Sequence, residues 1–182
     1  MNAEELRAIQ APLKQTYREH PETARNIARA EAIVEPYDIA CTIRAWHGEV
    51  TAGLHQSAGG SGELACSADM LLEALVACAG VTLRAVATAL NITLRGGTVR
   101  AEGDLDFRGT LGVDKAALVG FKAIRLGFDL DTDAGVEELK TLLKLTERYC
   151  VIYQTLTTPP QIAVTLDAAI SKTEGEPAYA SL

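Results

Sequence analysis

Residues 67–83, Ser-Ala-Asp-Met-Leu-Leu-Glu-Ala-Leu-Val-Ala-Cys-Ala-Gly-Val-Thr-Leu, decide the fold because they form the most apolar long stretch of the chain. Ser67 has the side chain of a helix N-cap, and Asp69 then lies in the first turn, where a carboxylate complements the helix dipole. The pattern predicts one long helix from Ser67 to about Leu90. We expect this helix to form the centre of the fold.

Strand patterns and a flexible loop precede this helix. In residues 37–56, Ile39, Cys41 and Ile43 alternate with other residues, and His47 precedes a glycine. This pattern predicts a hairpin of two strands with a turn at His47 and Gly48. The small residues of 57–62 predict a loop, and residues 63–67 predict another short strand.

The first 34 residues are rich in helix formers. Residues 3–19 carry apolar side chains at spacings of three and four, with Pro12 as a kink or a break. A second short helix is predicted over residues 22–33, with Pro21 near its first turn. The apolar stripe of both helices is thin, so we expect them to pack on another part of the protein.

After the long helix the chain alternates between strands and helices. Strands are predicted over residues 94–105, 122–129 and 161–166, and a helix over 135–148. Residues 149–158 fit either a second helix or a turn-rich extension, and the residues after Ala169 form a polar tail. This order predicts an α+β fold without a β-α-β repeat.

Composition excludes several classes of protein. The chain has 182 residues, 48% of them hydrophobic, which is enough for one domain with a sizeable core. Seventeen Lys and Arg against 24 Asp and Glu leave a net charge of −7, so we expect no nucleic-acid partner and no anionic membrane surface. Glu73 and Arg84 leave only ten uncharged residues between them in the long helix, too few for a membrane span. No secretory signal is recognisable, so we expect a cytoplasmic protein.

Four cysteines are too few for a disulfide scaffold, and none lies in a CxxC pattern. Cys78 lies on the apolar helix among small neighbours, which fits a buried structural thiol or a reactive one with space above the sulfur. Cys150 follows a predicted helix, and taken alone it is expected to be a packing thiol. Cys41 is expected in the core of the hairpin, and Cys66 is open to either interpretation.

Two motifs resemble those of a known family. The stretch from Ser67 to Cys78, followed by Thr82, resembles the central-helix motif of the OsmC/Ohr family, the osmotically inducible and organic hydroperoxide resistance proteins. The stretch 147–150, Glu-Arg-Tyr-Cys, resembles the second motif of that family, which carries the partner cysteine. Cys78 and Cys150 are 72 residues apart, and the resemblance covers about residues 37–168.

The resemblance implies an OsmC-like α+β fold, with antiparallel sheets around a long central helix that carries Cys78. It also implies a thiol peroxidase that requires no cofactor or metal. Cys78 would attack an organic hydroperoxide, Cys150 would resolve the sulfenic acid as a disulfide, and a dithiol would reduce that disulfide. Homodimers with two sites at the subunit interface are implied as well.

The resemblance further implies an arginine, held by a carboxylate, that stabilises the thiolate. Asp69 occupies the acidic position nine residues before Cys78, and its alternative role is to complement the helix dipole. Arg44 is the candidate arginine, and its alternative is a solvated strand residue. The chain departs from the family pattern at Val151, where a proline is usual. His47 and His55 lie near the hairpin and are expected at the surface.

The domain organisation follows from these patterns. Residues 1–36 are expected to form an N-terminal helical extension, residues 37–170 the OsmC-like domain, and residues 171–182 a C-terminal tail. The leading functional hypothesis is a hydroperoxide reductase. The alternative is a non-catalytic protein of the same fold that binds a small apolar ligand or a partner. General thiol-disulfide exchange with proteins is disfavoured because CxxC is absent.

Overall fold

The computed structural model describes residues 1–45, 48–170 and 178–181. Five helices lie in the order α1 (Ala3–Glu19), α2 (Ser67–Ala89), α3 (Phe107–Thr110), α4 (Val136–Tyr149) and α5 (Val151–Thr157). The strands are β1 (Glu31–Val34), β2 (Ala40–Ala45), β3 (Gly48–Gly53), β4 (Ala65–Cys66), β5 (Leu94–Asp104), β6 (Ala123–Thr132), β7 (Asp167–Ile170) and β8 (Ala178–Ser181). This is the predicted α+β fold around a long helix that carries Cys78.

The central helix α2 organises the packing. It contacts the β5 strand on one side, α4 and α5 on another, and α1 near the N-terminus. The core lies between α2, the β5–β6 hairpin and α4, and it consists of Leu83, Val86, Ala87, Ile92 and Leu142. The predicted helix from Ser67 to about Leu90 is confirmed, although Cys66 rather than Ser67 occupies the N-cap position.

The β5–β6 hairpin presents one apolar face to α2. Exposure alternates along β6, and its half-buried residues, such as Phe128 and Leu130, pack against the core. The other face carries ion pairs, among them Arg95 with Asp131 at 2.6 Å. The strands predicted over residues 94–105 and 122–129 are confirmed, and the structure shows that they pair antiparallel as a hairpin.

The N-terminal half forms a second sheet in the order β1-β2-β3-β4. Strands β2 and β3 pair antiparallel, as the hairpin prediction required, and β4 pairs parallel to β3. The predicted turn residue His47 lies outside the described residues. The short strand expected over residues 63–67 is confirmed as β4.

The helix predicted over residues 22–33 is wrong. A single 3-10 turn covers Pro21–Ala24, and Glu31–Val34 form β1, which pairs antiparallel with β2. The edge of β2 offers backbone hydrogen bonds to this segment, and that tertiary partner overrides the helix propensity of its alanines and glutamate. In contrast, α1 is confirmed over its full predicted length and continues through Pro12.

The C-terminal region also differs from the prediction. Residues 161–166 form no strand. The strand begins at Asp167 and pairs antiparallel with Ala178–Ser181, inside the segment expected to be a polar tail. The strand predicted over residues 161–166 is therefore wrong. Of the two structures predicted for residues 149–158, the second helix is confirmed as α5.

The β1–β4 sheet is poorly covered in a single chain. The substantial contacts of β1 and β2 are with each other and with β3, and large apolar side chains such as Val34 and Ile39 remain exposed. The expectation that Cys41 lies in the core is therefore wrong for one chain, where it is half-buried. Alternation identified its strand correctly, but no described element covers that face.

The helix α2 is long and apolar enough, by length and composition alone, to cross a bilayer. The central helix of a soluble domain has the same character, and here α2 packs against two strands and three helices. Nothing in the described residues shows a membrane protein.

Truncation of a core leucine tests this packing. Leu142 is 1% exposed in the core, whereas its neighbour Leu143 on the same helix is 42% exposed. We expect Leu142→Ala to lower the free energy of unfolding by about 2–5 kcal/mol, because it leaves a cavity. The matched control Leu143→Ala should cost less than about 1 kcal/mol. Urea denaturation measures both, and equal losses would contradict the described core.

Candidate active site

Cys78 lies at the middle of α2, on the side that faces the junction of α4 and α5. Its side chain is half-buried. Thr82 lies one turn later on the same helix face, and its hydroxyl lowers the pKa of the Cys78 thiol. The position within a packed helix holds the Cys78 sulfur in one place, with partial access to solvent.

Cys150 lies where α4 ends and α5 begins. Its backbone is extended, with φ −73° and ψ 109°, so it is both the C-cap of α4 and the N-cap of α5. Its N–H donates to the carbonyl of Thr146 at 2.9 Å, and its own carbonyl accepts from the N–H of Gln154 at 3.0 Å. The Gln154 side chain also donates to the carbonyl of Glu147 at 2.8 Å. These bonds hold the corner between the two helices in one geometry.

The corner brings the two cysteines together. The Cys78 and Cys150 side chains lie close enough for each to shift the pKa of the other, and both are free thiols. Cys150 is 1% exposed, whereas Cys78 retains solvent access. The structure therefore places the two sequence-predicted cysteines at one site, with the more accessible thiol on α2.

The pKa of Cys78 lies below its ordinary value. Burial raises this pKa, but the backbone N–H of Ile152, the Cys150 thiol, the backbone N–H of Val151 and the Thr82 hydroxyl all lower it, and together they prevail. Each of these donors favours the charged form of the sulfur. The arrangement increases the fraction of Cys78 thiolate at neutral pH.

The pKa of Cys150 moves in the opposite direction. Burial raises it, and the neighbouring Cys78 raises it further, while the backbone N–H groups of Tyr153 and Ile152 offset only part of the effect. A thiolate is the nucleophilic form of cysteine. The site is therefore asymmetric, with an activated thiol at Cys78 and a protonated thiol beside it.

The structure does not bring Asp69 or Arg44 to this pair within one chain. Asp69 lies exposed in the first turn of α2, and nine helical residues separate it from Cys78 by roughly 13 Å along the axis. Arg44 pairs with Glu49 across the β2–β3 hairpin at 3.3 Å, and both side chains are largely exposed. Within the described residues Asp69 forms no ion pair. Their assignment to the site stays a prediction.

The thiolate donors of α5 were missed from the sequence. The sequence pattern predicts Cys150 at the end of one helix, where the dipole does not favour an anion. It is also the start of the next helix, whose first N–H groups have no intrahelical acceptor. The available signal was the possible second helix over residues 149–158. Thr82 could have been found from its spacing of four residues from Cys78.

An apolar cleft of about 1030 Å³ is lined by residues of α2, β6, α4 and α5, and neither Cys78 nor Cys150 is among them. Leu75, one turn before Cys78, and Tyr153, one turn after Cys150, line it together with side chains of β6 and α4. Lys122, Asp129 and Glu147 are the charged residues in its lining. The cleft can hold an apolar molecule near the thiols.

The histidines take no part in the site that the described residues form. The His55 ring stacks on Phe107 with 4.7 Å between ring centroids, and its Nδ1 accepts from the N–H of Ser57. His47 lies outside the described residues. Among the residues that the structure describes, no cluster of three or more His, Cys, Asp or Glu side chains is arranged to hold a metal ion.

Comparison with known proteins gives one family match. Residues 60–165 match the model of the family described as OsmC-like protein. No curated protein matches the sequence. The matched residues include both Cys78 and Cys150.

Solved structures share the fold at low sequence identity. An OsmC-like protein from Mycoplasma pneumoniae superposes with a TM-score of 0.62 and 19% identity, over 74% of this chain and 89% of the other. An organic hydroperoxide resistance protein from Legionella pneumophila has a TM-score of 0.58 and 17% identity, over 74% of this chain and 92% of the other. An organic hydroperoxide resistance protein from Elizabethkingia anophelis, with bound thiocyanate, has a TM-score of 0.57 and 17% identity, over 74% of this chain and 91% of the other. At these identities the likeness shows the fold.

Alkylation of the reduced protein tests the asymmetry of the pair. We expect Cys78 to reach its half-maximal rate with iodoacetamide below the pH of about 8.5 that is typical of a free cysteine, because its pKa is lowered. Cys150 should reach its half-maximal rate above that pH. At pH 7 the rate at Cys78 should exceed that at Cys150. Mass spectrometry of the labelled peptides measures both, and a faster Cys150 would contradict the assignment.

Proposed function

Because the chain belongs to the OsmC-like protein family, we propose that it is a cysteine-dependent reductase of organic hydroperoxides. The observation that carries this proposal is the contact between two free thiols of opposite pKa shift, Cys78 lowered and Cys150 raised. A peroxidatic cysteine must be a thiolate at neutral pH, and a resolving cysteine must lie close enough to capture its oxidised form. The lowered pKa of Cys78 and its closeness to Cys150 support this assignment of roles.

The reaction proceeds in three balanced steps. The Cys78 thiolate attacks the O–O bond, and with one proton the hydroperoxide leaves as an alcohol while Cys78 becomes a sulfenic acid. The Cys150 thiol then attacks the Cys78 sulfur, which forms the disulfide and releases water. A cellular dithiol reduces this disulfide and is itself oxidised to a disulfide.

The local geometry favours this order of events. The sulfur of Cys78 has solvent access and hydrogen-bond donors, whereas Cys150 is buried behind it. The protonated Cys150 does not compete for peroxide, but it lies in contact with the sulfenic acid when that forms. The apolar cleft, with Leu75 and Tyr153 beside the pair, would take the organic part of the substrate.

We propose that the protein acts as a homodimer in the cytoplasm. The β1–β4 sheet exposes apolar side chains such as Ile33, Val34 and Ile39 in a single chain, and a second copy that covers this sheet would bury them. The proposed roles of Arg44, as activating cation, and of Asp69, as its holder, belong to this assembled state. In one chain they lie apart from the thiols.

A non-catalytic function is the alternative. The same cleft of about 1030 Å³ fits an apolar ligand that is bound without reaction. Peroxide consumption separates the two functions, because a binding protein would not turn over hydroperoxide at any dithiol concentration.

Cysteine variants test the peroxidase proposal directly. Cys78→Ser should lower the rate of hydroperoxide consumption by a factor of 10³ or more, on the order of the loss of a catalytic nucleophile. Cys66→Ser is the matched control, since serine suits the N-cap position that Cys66 occupies on the same helix. This control should retain turnover. Cumene hydroperoxide with dithiothreitol provides the assay, and turnover by Cys78→Ser would refute the proposal.

The resolving step has a separate test. Cys150→Ser should permit a single oxidation and leave a Cys78 sulfenic acid that dimedone traps, because the second thiol is gone. In the wild-type protein, limited peroxide and non-reducing peptide mapping should show a Cys78–Cys150 link within one chain. A dominant link through Cys66 would reassign the resolving role.

A further inference from the structure

The carbonyl of Glu147 loses its usual helical partner where α4 ends. In a continuous helix the N–H of Val151 would donate to this carbonyl, because each helical N–H bonds to the residue four positions earlier. The extended backbone of Cys150, with ψ 109°, turns the chain between them. Within the described residues no backbone N–H donates to the Glu147 carbonyl, and the side-chain amide of Gln154 does so at 2.8 Å. Gln154 therefore replaces a bond that the turn removes.

This side-chain bond connects α5 to α4. The backbone N–H of Gln154 also donates to the carbonyl of Cys150 at 3.0 Å. Gln154 thus holds the chain on the α4 side of Cys150 through its side chain and Cys150 itself through its backbone. The side-chain hydrogen bonds of Thr155 and Thr157 stay inside α5, so among the described bonds of this helix only that of the Gln154 side chain crosses to α4.

The position of α5 depends on such links. The helix has seven residues and no fully buried side chain. A helix of this length is not stable by itself, so contacts with α2 and α4 must hold it in place. Cys150 at the corner is 1% exposed, and the angle between α4 and α5 sets the direction of its thiol.

We propose that Gln154 is a positioning residue for Cys150: its side-chain amide fixes the angle between α4 and α5 and thereby keeps the Cys150 thiol beside Cys78 on α2. The inference rests on the proposed function for the role of Cys150 as resolving thiol, but the placement of the two thiols is measurable without peroxide. Gln154 is exposed and its amide donates to a backbone carbonyl, so it acts through the corner rather than on the reacting atoms.

Three variants separate this role from a general effect of substitution in α5. Gln154→Met removes the donor and keeps the length of the side chain. Gln154→Lys restores a donor of similar reach, because an ammonium group can bond the same carbonyl. Thr155→Val is the matched control, since Thr155 is the exposed neighbour whose hydroxyl donates to the Val151 carbonyl at 2.8 Å inside α5.

The equilibrium of the Cys78–Cys150 disulfide with glutathione is the first readout. The S–S bond of oxidised glutathione breaks to give two thiols, while the two protein thiols give up two electrons and two protons and form their own S–S bond. The equilibrium constant reports how often the reduced protein holds its two sulfurs together. Non-reducing peptide mapping of quenched samples measures it for this pair of cysteines.

We expect the constant to fall about threefold to tenfold in Gln154→Met, the range that corresponds to the loss of one hydrogen bond. Gln154→Lys and Thr155→Val should keep the wild-type value. An unchanged constant in Gln154→Met, an equal fall in Thr155→Val or no recovery in Gln154→Lys would overturn the inference.

The competition between Cys150 and dimedone for oxidised Cys78 is the second readout. With limited cumene hydroperoxide, a larger fraction of Gln154→Met than of wild type should carry dimedone on Cys78, because Cys150 reaches the sulfenic acid more slowly. This fraction is a branching ratio, so it does not depend on how fast the sulfenic acid forms. A fraction equal to that of the wild type would also overturn the positioning role.

A measurement on the wild-type protein covers the case in which Gln154→Met does not fold. In ¹⁵N-labelled protein the side-chain amide protons of Gln154 should exchange with solvent more slowly than those of Gln161, which is also exposed and whose side chain forms no hydrogen bond within the described residues. Equal exchange would refute the cross-helix bond. If the wild type consumes no hydroperoxide, the proposed function fails, and the glutathione equilibrium still decides the role of Gln154.

Discussion

The break between α4 and α5 at Cys150 is the constraint on which the site depends. The extended backbone of Cys150 ends α4 and begins α5. The chain therefore turns at this residue while both helices stay packed on α2. The turn places the buried Cys150 thiol against Cys78 and points the first N–H groups of α5 at the same sulfur. A continuous helix would have bonded those N–H groups internally.

The pKa values of the two thiols shift in opposite directions because the groups around each sulfur differ. Burial raises the pKa of both sulfurs, but Cys78 receives enough donors to reverse the effect and Cys150 does not. The two thiols are thus distinguished by their surroundings rather than by residue type. This is the physical basis for assigning different roles to two identical side chains.

The two sheets have unequal surroundings. The β5–β6 hairpin covers α2 with one apolar face and turns its charged face outward, so it is complete within one chain. The β1–β4 sheet keeps large apolar side chains exposed, and Arg44 lies on it. A second copy is the proposed cover. The cation of the site would then be a property of the dimer, whereas the amide donors belong to the monomer.

The sequence by itself determined α1, α2, the β2–β3 hairpin, the strands β5 and β6, and α4, because each has a local period or length that identifies it. Tertiary structure decided that residues 31–34 are a strand, since an open edge of β2 outweighs local helix propensity. The pairing of Cys78 with Cys150 was expected only from family resemblance. Two residues 72 positions apart meet through the packing of α4 and α5 on α2, and no local pattern specifies which N–H groups then face the sulfur.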